Sequence, residues 1–256
     1  MKKILSMIIY ILLALSISVT AFINLSPQFG TNPTKGQKKT YAKFSNYNNG
    51  EFQNLEEFVL KTGDMPMSEF FNSDSDRKPN KDLIHESLDL ESFVNVENNK
   101  IKFSWIGHSA FILNIGGNIL LLDPMFGQYA APLPVPSLKR YSSEIAFNIE
   151  DIDSIDAVIF SHDHYDHLDY ATVKKIKNKV KLFFVPYGLG NHLKEWGVKV
   201  EAIIELNWDE GKIFNDIEFI CLPARHFSGR GPLNRNSTLW CSWAIKSEYG
   251  NIYFSG

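Results

Sequence analysis

Residues 157–167 read Ala157-Val158-Ile159-Phe160-Ser161-His162-Asp163-His164-Tyr165-Asp166-His167. The apolar run Ala157 to Phe160 predicts a short strand. From His162 to His167, six consecutive positions hold three of the seven histidines and two carboxylates. A strand that ends in such a loop presents imidazoles and a carboxylate from one tight turn. That is how a protein holds a first-row metal ion while leaving positions open for water. His162 and His164 are two apart and can address one ion. Asp166 and His167 are adjacent and can turn toward a second. Two ions about 3.5–4 Å apart can act from both sides of a displacement. Three packed imidazoles without metal would repel when protonated, so a purely structural reading explains the spacing poorly.

A second piece lies downstream in Leu222-Pro223-Ala224-Arg225-His226-Phe227-Ser228-Gly229-Arg230. His226 follows a strand-like run and a proline. That makes it the natural third nitrogen donor beside His162 and His164. Asp123, in Leu122-Asp123-Pro124, has two readings: it orients a metal-ligating imidazole from behind, or it caps a turn. Arg225 and Arg230 suit a phosphate group, with surface ion pairing as the alternative for Arg230. His108 stands as a residue lining the site. Asp163 and Tyr165 need no role. His85 and His192 read as surface or packing residues.

The strand grammar starts near Ile101. Ile101 to Ile106, Ala110 to Ile115 and Asn118 to Leu122 form a meander, with Gly116-Gly117 as a hairpin signal. A proline-rich loop follows. Val180 to Val185, Val198 to Leu206, Ile213 to Phe214, Ile217 to Leu222, Leu239 to Lys246 and Ile252 to Ser255 predict further extended segments. Ala171 to Lys177 and Leu189 to Trp196 predict helices. Interleaved strands and helices imply a layered α/β domain, and the meanders imply a mixed sheet. Cys221 and Cys241 each fall in an apolar run and read as buried free thiols.

At the N-terminus Lys2-Lys3 precedes Ile4 to Ile23, an uncharged run of twenty residues, long enough to cross a bilayer as a helix. An uncleaved anchor is favoured over a signal peptide cut near Val19-Thr20-Ala21. The two lysines place the N-terminus in the cytoplasm and the body on the other side. Residues 25–99 form a polar extension with scattered aromatics, among them Phe44, Tyr47, Phe52, Phe58, Phe70 and Phe71. Asn48-Asn49-Gly50 marks a turn there, helical stretches are expected near Leu55 to Lys61 and Met67 to Phe71, and the aromatics are expected to reach acyl chains. The working division is therefore 1–24 anchor or signal segment, 25–99 extension and 100–256 α/β domain. The 256 residues are 44% hydrophobic and 21% charged, ordinary for a folded core, and the net charge of -3 with no basic stripe argues against a nucleic-acid partner.

The H-x-H-x-D-H loop resembles that of the metallo-β-lactamase fold superfamily. Trp105-Ile106-Gly107-His108-Ser109, Leu122-Asp123-Pro124, the Pro223 to Arg230 block and Tyr253-Phe254-Ser255-Gly256 resemble one branch of it. That branch holds N-acylphosphatidylethanolamine-hydrolysing phospholipase D and membrane-associated bacterial relatives. The resemblance implies an αββα sandwich, two divalent metal ions with zinc as the expected metal, and hydrolysis of a phospholipid phosphodiester by a metal-held hydroxide. His162, His164, Asp166, His167 and His226 are the implied ligands, with Asp166 and His167 closest to the chemistry. A lactonase or phosphodiesterase for a soluble sugar-phosphate-type substrate is the near alternative. A non-catalytic, membrane-tethered metal-binding protein is the distant one. In the family, the Tyr-Phe-Ser-Gly motif is followed by a bridging aspartate and later by a last histidine. The chain ends at Gly256, so the resemblance implies a C-terminal truncation, an incomplete sandwich and little or no turnover by these 256 residues alone.

Overall fold

The computed structural model describes residues 2–57, 79–95, 100–142 and 144–256. Helix α1, Lys2–Leu25, covers the uncharged run and one residue or more on either side. Its apolar window is 0% buried within the protein, so the helix does not lie in the core. No charged residue follows Lys3 in it, and near its end Phe22 packs edge-on against Phe29 at 5.6 Å.

Six strands form a mixed sheet: β3 (Ile101–Gly107), β4 (Ala110–Ile115), β5 (Asn118–Leu122), β6 (Ile155–Ile159), β7 (Val180–Pro186) and β8 (Ile203–Leu206), adjacent in that order. The first three pair antiparallel, and β5 through β8 pair parallel. Gly116 and Gly117 both have positive φ, as the expected tight β4–β5 hairpin needs. The four strands β9 (Gly211–Phe214), β10 (Ile217–Leu222), β11 (Ser242–Ser247) and β12 (Gly250–Phe254) form a second, antiparallel sheet. The Leu239 to Lys246 run thus becomes a strand only from Ser242. Leu239 to Cys241 instead pass through the core as irregular chain, with Leu239 N–H donating to Tyr187 O and Cys241 N–H to Ser161 O.

The larger sheet is buried on both faces. Leu113, Leu120, Leu122, Ile159 and Phe184 face Phe219, Cys221, Trp243 and Ile245 of the smaller sheet. The alternate residues Ile112, Leu121, Val158 and Phe183 pack against helices α3 (Tyr170–Ile176) and α4 (Gly190–Glu195) through Val173, Ile176, Leu193 and Trp196. This is a helix–sheet–sheet arrangement. On the outer face of the smaller sheet, Glu218 and Lys246 pair at 3.5 Å. Both cysteines are buried and free.

The extension is more ordered than its composition suggests. Helix α2 (Lys35–Tyr41) starts with a capping box between Thr34 and Gln37. β1 (Tyr47–Asn48) and β2 (Glu51–Phe52) close over Asn49 and Gly50, both with positive φ. The aromatics of this stretch do not face outward to acyl chains. Phe52 is fully buried, Tyr47 nearly so, and Tyr41, Phe44, Tyr47 and Phe52 cluster with Tyr187 of the body. An aromatic ring buries too much area to leave exposed when a groove will take it. The expected helix near Met67 to Phe71, most of that near Leu55 to Lys61, and Phe58, Phe70 and Phe71 lie outside the described residues.

Candidate metal centre

Parallel pairing of β5 with β6 sets Asp123 beside Phe160 and Ser161 at the carboxyl ends of the two strands. Asp123 N–H donates to Ile159 O, and Asp123 Oδ1 accepts the Ser161 N–H at 2.7 Å. The chain then turns through the histidine loop, where His164 O accepts from the N–H of His167 and of Leu168. His226 arrives from the far end of β10. His108 sits in the β3–β4 turn, at a φ of 48°, with its carbonyl accepting from Trp105 Nε1 at 2.7 Å. These elements close around a cavity of about 610 Å³ lined by His108, His162, His164, Asp166, His167 and His226, among others.

Three ring nitrogens converge there. His162 Nε2 lies 2.9 Å from His164 Nδ1 and 3.1 Å from His226 Nε2, and His164 Nδ1 lies 3.3 Å from His226 Nε2. Three such lone pairs within van der Waals contact fit one cation shared among them, at metal–nitrogen distances near 2.0–2.1 Å. Burial, followed by the neighbouring imidazoles, holds His162 well below its usual pKa. Burial likewise lowers His164. Burial and then His164 and His167 lower His226 to about 4. All three are therefore neutral donors near pH 7.

A second group lies alongside. His167 Nε2 is 3.7 Å from Asp166 Oδ2, which is 2.9 Å from His108 Nε2. The His162 and His167 rings are 4.0 Å apart, so the two groups share a wall. Burial opposes ionisation of Asp166, but the hydrogen bond from His108 and the charge of His167 bring its pKa down to about 2. Burial would lower His167, but Asp123 beside its Nδ1 outweighs that and raises it.

Asp123 is the organising carboxylate. It is fully buried, with Oδ2 2.7 Å from His167 Nδ1 and in contact with the Ser161 hydroxyl. With the Ser161 proton given to Asp123, Ser161 Oγ accepts from His162 Nδ1 at 2.9 Å. Both imidazoles are thereby held with the proton on Nδ1 and the Nε2 lone pair aimed into the cavity. The orienting reading of Asp123 fits this geometry, and the turn-capping reading leaves these contacts unexplained.

The two arginines part ways. Arg225 is exposed at the cavity edge, with a guanidinium nitrogen 3.3 Å from Glu57 O. Arg230 does not meet the cavity, nor does it pair on the surface. It is buried, donating to the carbonyls of Gln28, Asp163 and Leu168 at 2.6–2.8 Å. Asp163, which sequence alone left without a role, is the centre of this buried network. Its carboxylate accepts from Gly229 N–H at 2.7 Å and Thr238 Oγ1 at 2.9 Å, with His192 Nε2 at 3.4 Å. His192 is wholly buried, and its Nδ1 accepts the Thr31 N–H at 2.9 Å. Tyr165 also has a place: its hydroxyl donates to Arg230 O and its ring lies under the guanidinium. No pattern along the chain announces these contacts, since each joins residues far apart in sequence. His85 pairs with Glu144 at 3.2 Å, outside the cavity.

A mixed α/β sandwich with a histidine–aspartate cluster at its strand ends is the architecture of a metal-binding hydrolase class. The chain belongs to the metallo-β-lactamase superfamily: residues 118–256, more than half of it, match the Beta-lactamase superfamily domain. An uncharacterized protein of Mycobacterium tuberculosis is 40% identical over 61% of this chain and 42% of its own length. N-acyl-phosphatidylethanolamine-hydrolyzing phospholipase D 1 of Caenorhabditis elegans is 35% identical over 60% of this chain and 45% of its own. The aligned part of the chain thus spans less than half of either relative. A metallo hydrolase from Ignicoccus hospitalis superimposes with a TM-score of 0.43, at 19% identity over 61% of this chain and 60% of that one.

Proposed function

We propose that this chain carries the metal centre of a membrane-anchored hydrolase that cleaves a phosphodiester, with a phospholipid as substrate. The convergence of His162, His164 and His226 beside Asp166 and His167 in one open cavity carries this reading. The similarity to a phospholipase D and the apolar helix α1 support the lipid substrate. Lys2 and Lys3, in the first turn of that helix, favour a body on the non-cytoplasmic side.

His162 Nε2, His164 Nδ1 and His226 Nε2 would hold one divalent cation, and His167 Nε2 with Asp166 a second, with zinc fitting the nitrogen-rich set. Bound there, such ions supply Lewis acidity and make water a nucleophile at neutral pH. The chain's own residues do the rest. Asp123 fixes the neutral tautomer of His167 directly and that of His162 through Ser161, with the Nε2 lone pair facing the cavity. His108 donates to Asp166 Oδ2 and stands at the cavity mouth, its side chain 53% exposed. Arg225, at the rim, suits the charge of a phosphate oxygen.

The test joins metal content to turnover. The purified chain, loaded with zinc or manganese, is assayed on bis(p-nitrophenyl) phosphate, on a lactone and on vesicles containing N-acylphosphatidylethanolamine. Two bound ions, with phosphodiester cleavage low for these 256 residues alone and lost altogether in His164→Ala while the fold persists, are the expected result. One weakly held ion without turnover supports the non-catalytic metal-binding reading instead. Cleavage of the lactone alone moves the substrate to the soluble class.

A further inference from the structure

The irregular chain between β10 and β11 carries His226, and among the described residues no strand pairs with it. A backbone N–H and C=O in that position need partners from elsewhere if the imidazole is to stay aimed at one point. Both partners come from one side chain of the extension, 172 residues away in sequence. Asn54 Oδ1 accepts the His226 N–H at 3.1 Å, and Asn54 Nδ2 donates to His226 O at 2.8 Å. The carboxamide thus acts as a neighbouring strand's peptide group would. Its orientation is unambiguous, since the N–H requires the oxygen and the carbonyl requires the nitrogen. Asn54 Oδ1 also accepts from Trp240 Nε1 at 3.1 Å, and that nitrogen donates to Ala224 O at 2.9 Å as well. One amide therefore ties the chain on both sides of His226 to the buried Trp240.

Asn54 is itself held firmly. It follows β2 by two residues, and Phe52, fully buried, seats the hairpin in the aromatic cluster with Tyr41 and Tyr47. Phe52 N–H donates to Asn236 O and Gln53 N–H to Asn46 O, so the hairpin is fixed to the same irregular segment it serves.

We infer that Asn54 is a positioning residue for the metal centre: it fixes the His226 backbone so that Nε2 meets His162 Nε2 and His164 Nδ1. The extension is then part of the centre and not only a wrapping. This inference rests on the reading of His226 as a donor to the ion shared with His162 and His164.

Cobalt(II) titration of the full chain tests it, because the visible bands of bound cobalt report ligand identity and geometry. Asn54→Ala should bind cobalt at least about 10-fold more weakly, the lower end of the usual cost of losing an orienting partner, with shifted or weakened bands. Asn54→Asp keeps the acceptor but sets an oxygen against His226 O, so it should also lose affinity. Tyr47→Phe, in the same hairpin, keeps the ring and removes the hydroxyl that donates to Gly50 O, so it should bind as the parent chain does. His226→Ala decides the underlying reading separately. If it keeps the parent affinity, the metal assignment fails and the inference goes with it. If His226→Ala loses cobalt while Asn54→Ala keeps the parent affinity and bands, only the role of Asn54 is overturned. Should Asn54→Ala fail to fold, the same two readings on Asn54→Asp decide.

Discussion

Asp123 reaches both donor groups of the centre, with Oδ2 2.7 Å from His167 Nδ1 and also in contact with the Ser161 hydroxyl that backs His162. Asp123→Asn should therefore weaken both ions. A carboxamide nitrogen facing His167 Nδ1 favours the other tautomer, with the proton on Nε2, where the lone pair is needed. A loss of about 10–100-fold in zinc affinity is expected, read by competition with a chromophoric chelator. Unchanged affinity for both ions would remove Asp123 from the centre.

Asp163→Asn should destabilise the fold at neutral pH and much less in acid. Burial opposes the charge on Asp163, yet the hydrogen bond from His192, that imidazole's charge and the Gly229 N–H bring its pKa down to about 2. A depressed carboxylate contributes stability above its unfolded value, near 3.8, and loses it as pH falls toward its folded value. The window of loss is thus about pH 4 to 2. At pH 7 the variant sets a carboxamide nitrogen against either the Gly229 N–H or the Thr238 and His192 donors, and a buried donor left unsatisfied costs about 1–3 kcal/mol. Urea unfolding of the metal-free chains at pH 7 and near pH 3 measures both gaps, and equal gaps would contradict the linkage.

Gly30→Ala should lower the melting temperature while Gly36→Ala does not. Gly30 has a φ of 67° and a ψ of -155°, and a Cβ there would lie 2.0 Å from His192 Nδ1. Backbone strain alone costs about 1–3 kcal/mol, before the clash displaces the ring that accepts from Thr31. Gly36 sits inside helix α2, with Thr34 Oγ1 at 3.9 Å as its nearest neighbour, and alanine there should be neutral or stabilising by about 0.5–1 kcal/mol. Thermal melts followed by circular dichroism separate the two.

Helix α1 should hold the uncleaved chain in membranes against alkaline carbonate extraction, and removal of residues 2–25 should release it. The helix is uncharged beyond its first turn and none of its apolar window is buried in the protein. Recovery of the intact chain from the soluble fraction would refute the anchor.

The sequence by itself marked the strands of the α/β domain and the histidine–aspartate cluster. Residues 119–122 and 157–159 are continuous apolar runs because both faces of a central strand are buried. The Gly116-Gly117 and Asn49-Gly50 turns are legible because only a few residues tolerate positive φ. The histidine loop is legible because metal chemistry admits few side chains at close spacing. What only the tertiary structure decided is the set of partners. Arg230 looks like a phosphate ligand and is a buried tie to three carbonyls. Asp163 looks like a spacer and is the centre of a network reaching Thr238, His192 and Gly229. Asn54 looks like one of many polar residues in a polar extension, and it fastens His226. Periodicity reports burial along one element and spacing reports reach within one loop. A hydrogen bond between residues tens of positions apart or more leaves no trace in either, because the fold alone brings its two groups within about 3 Å of each other.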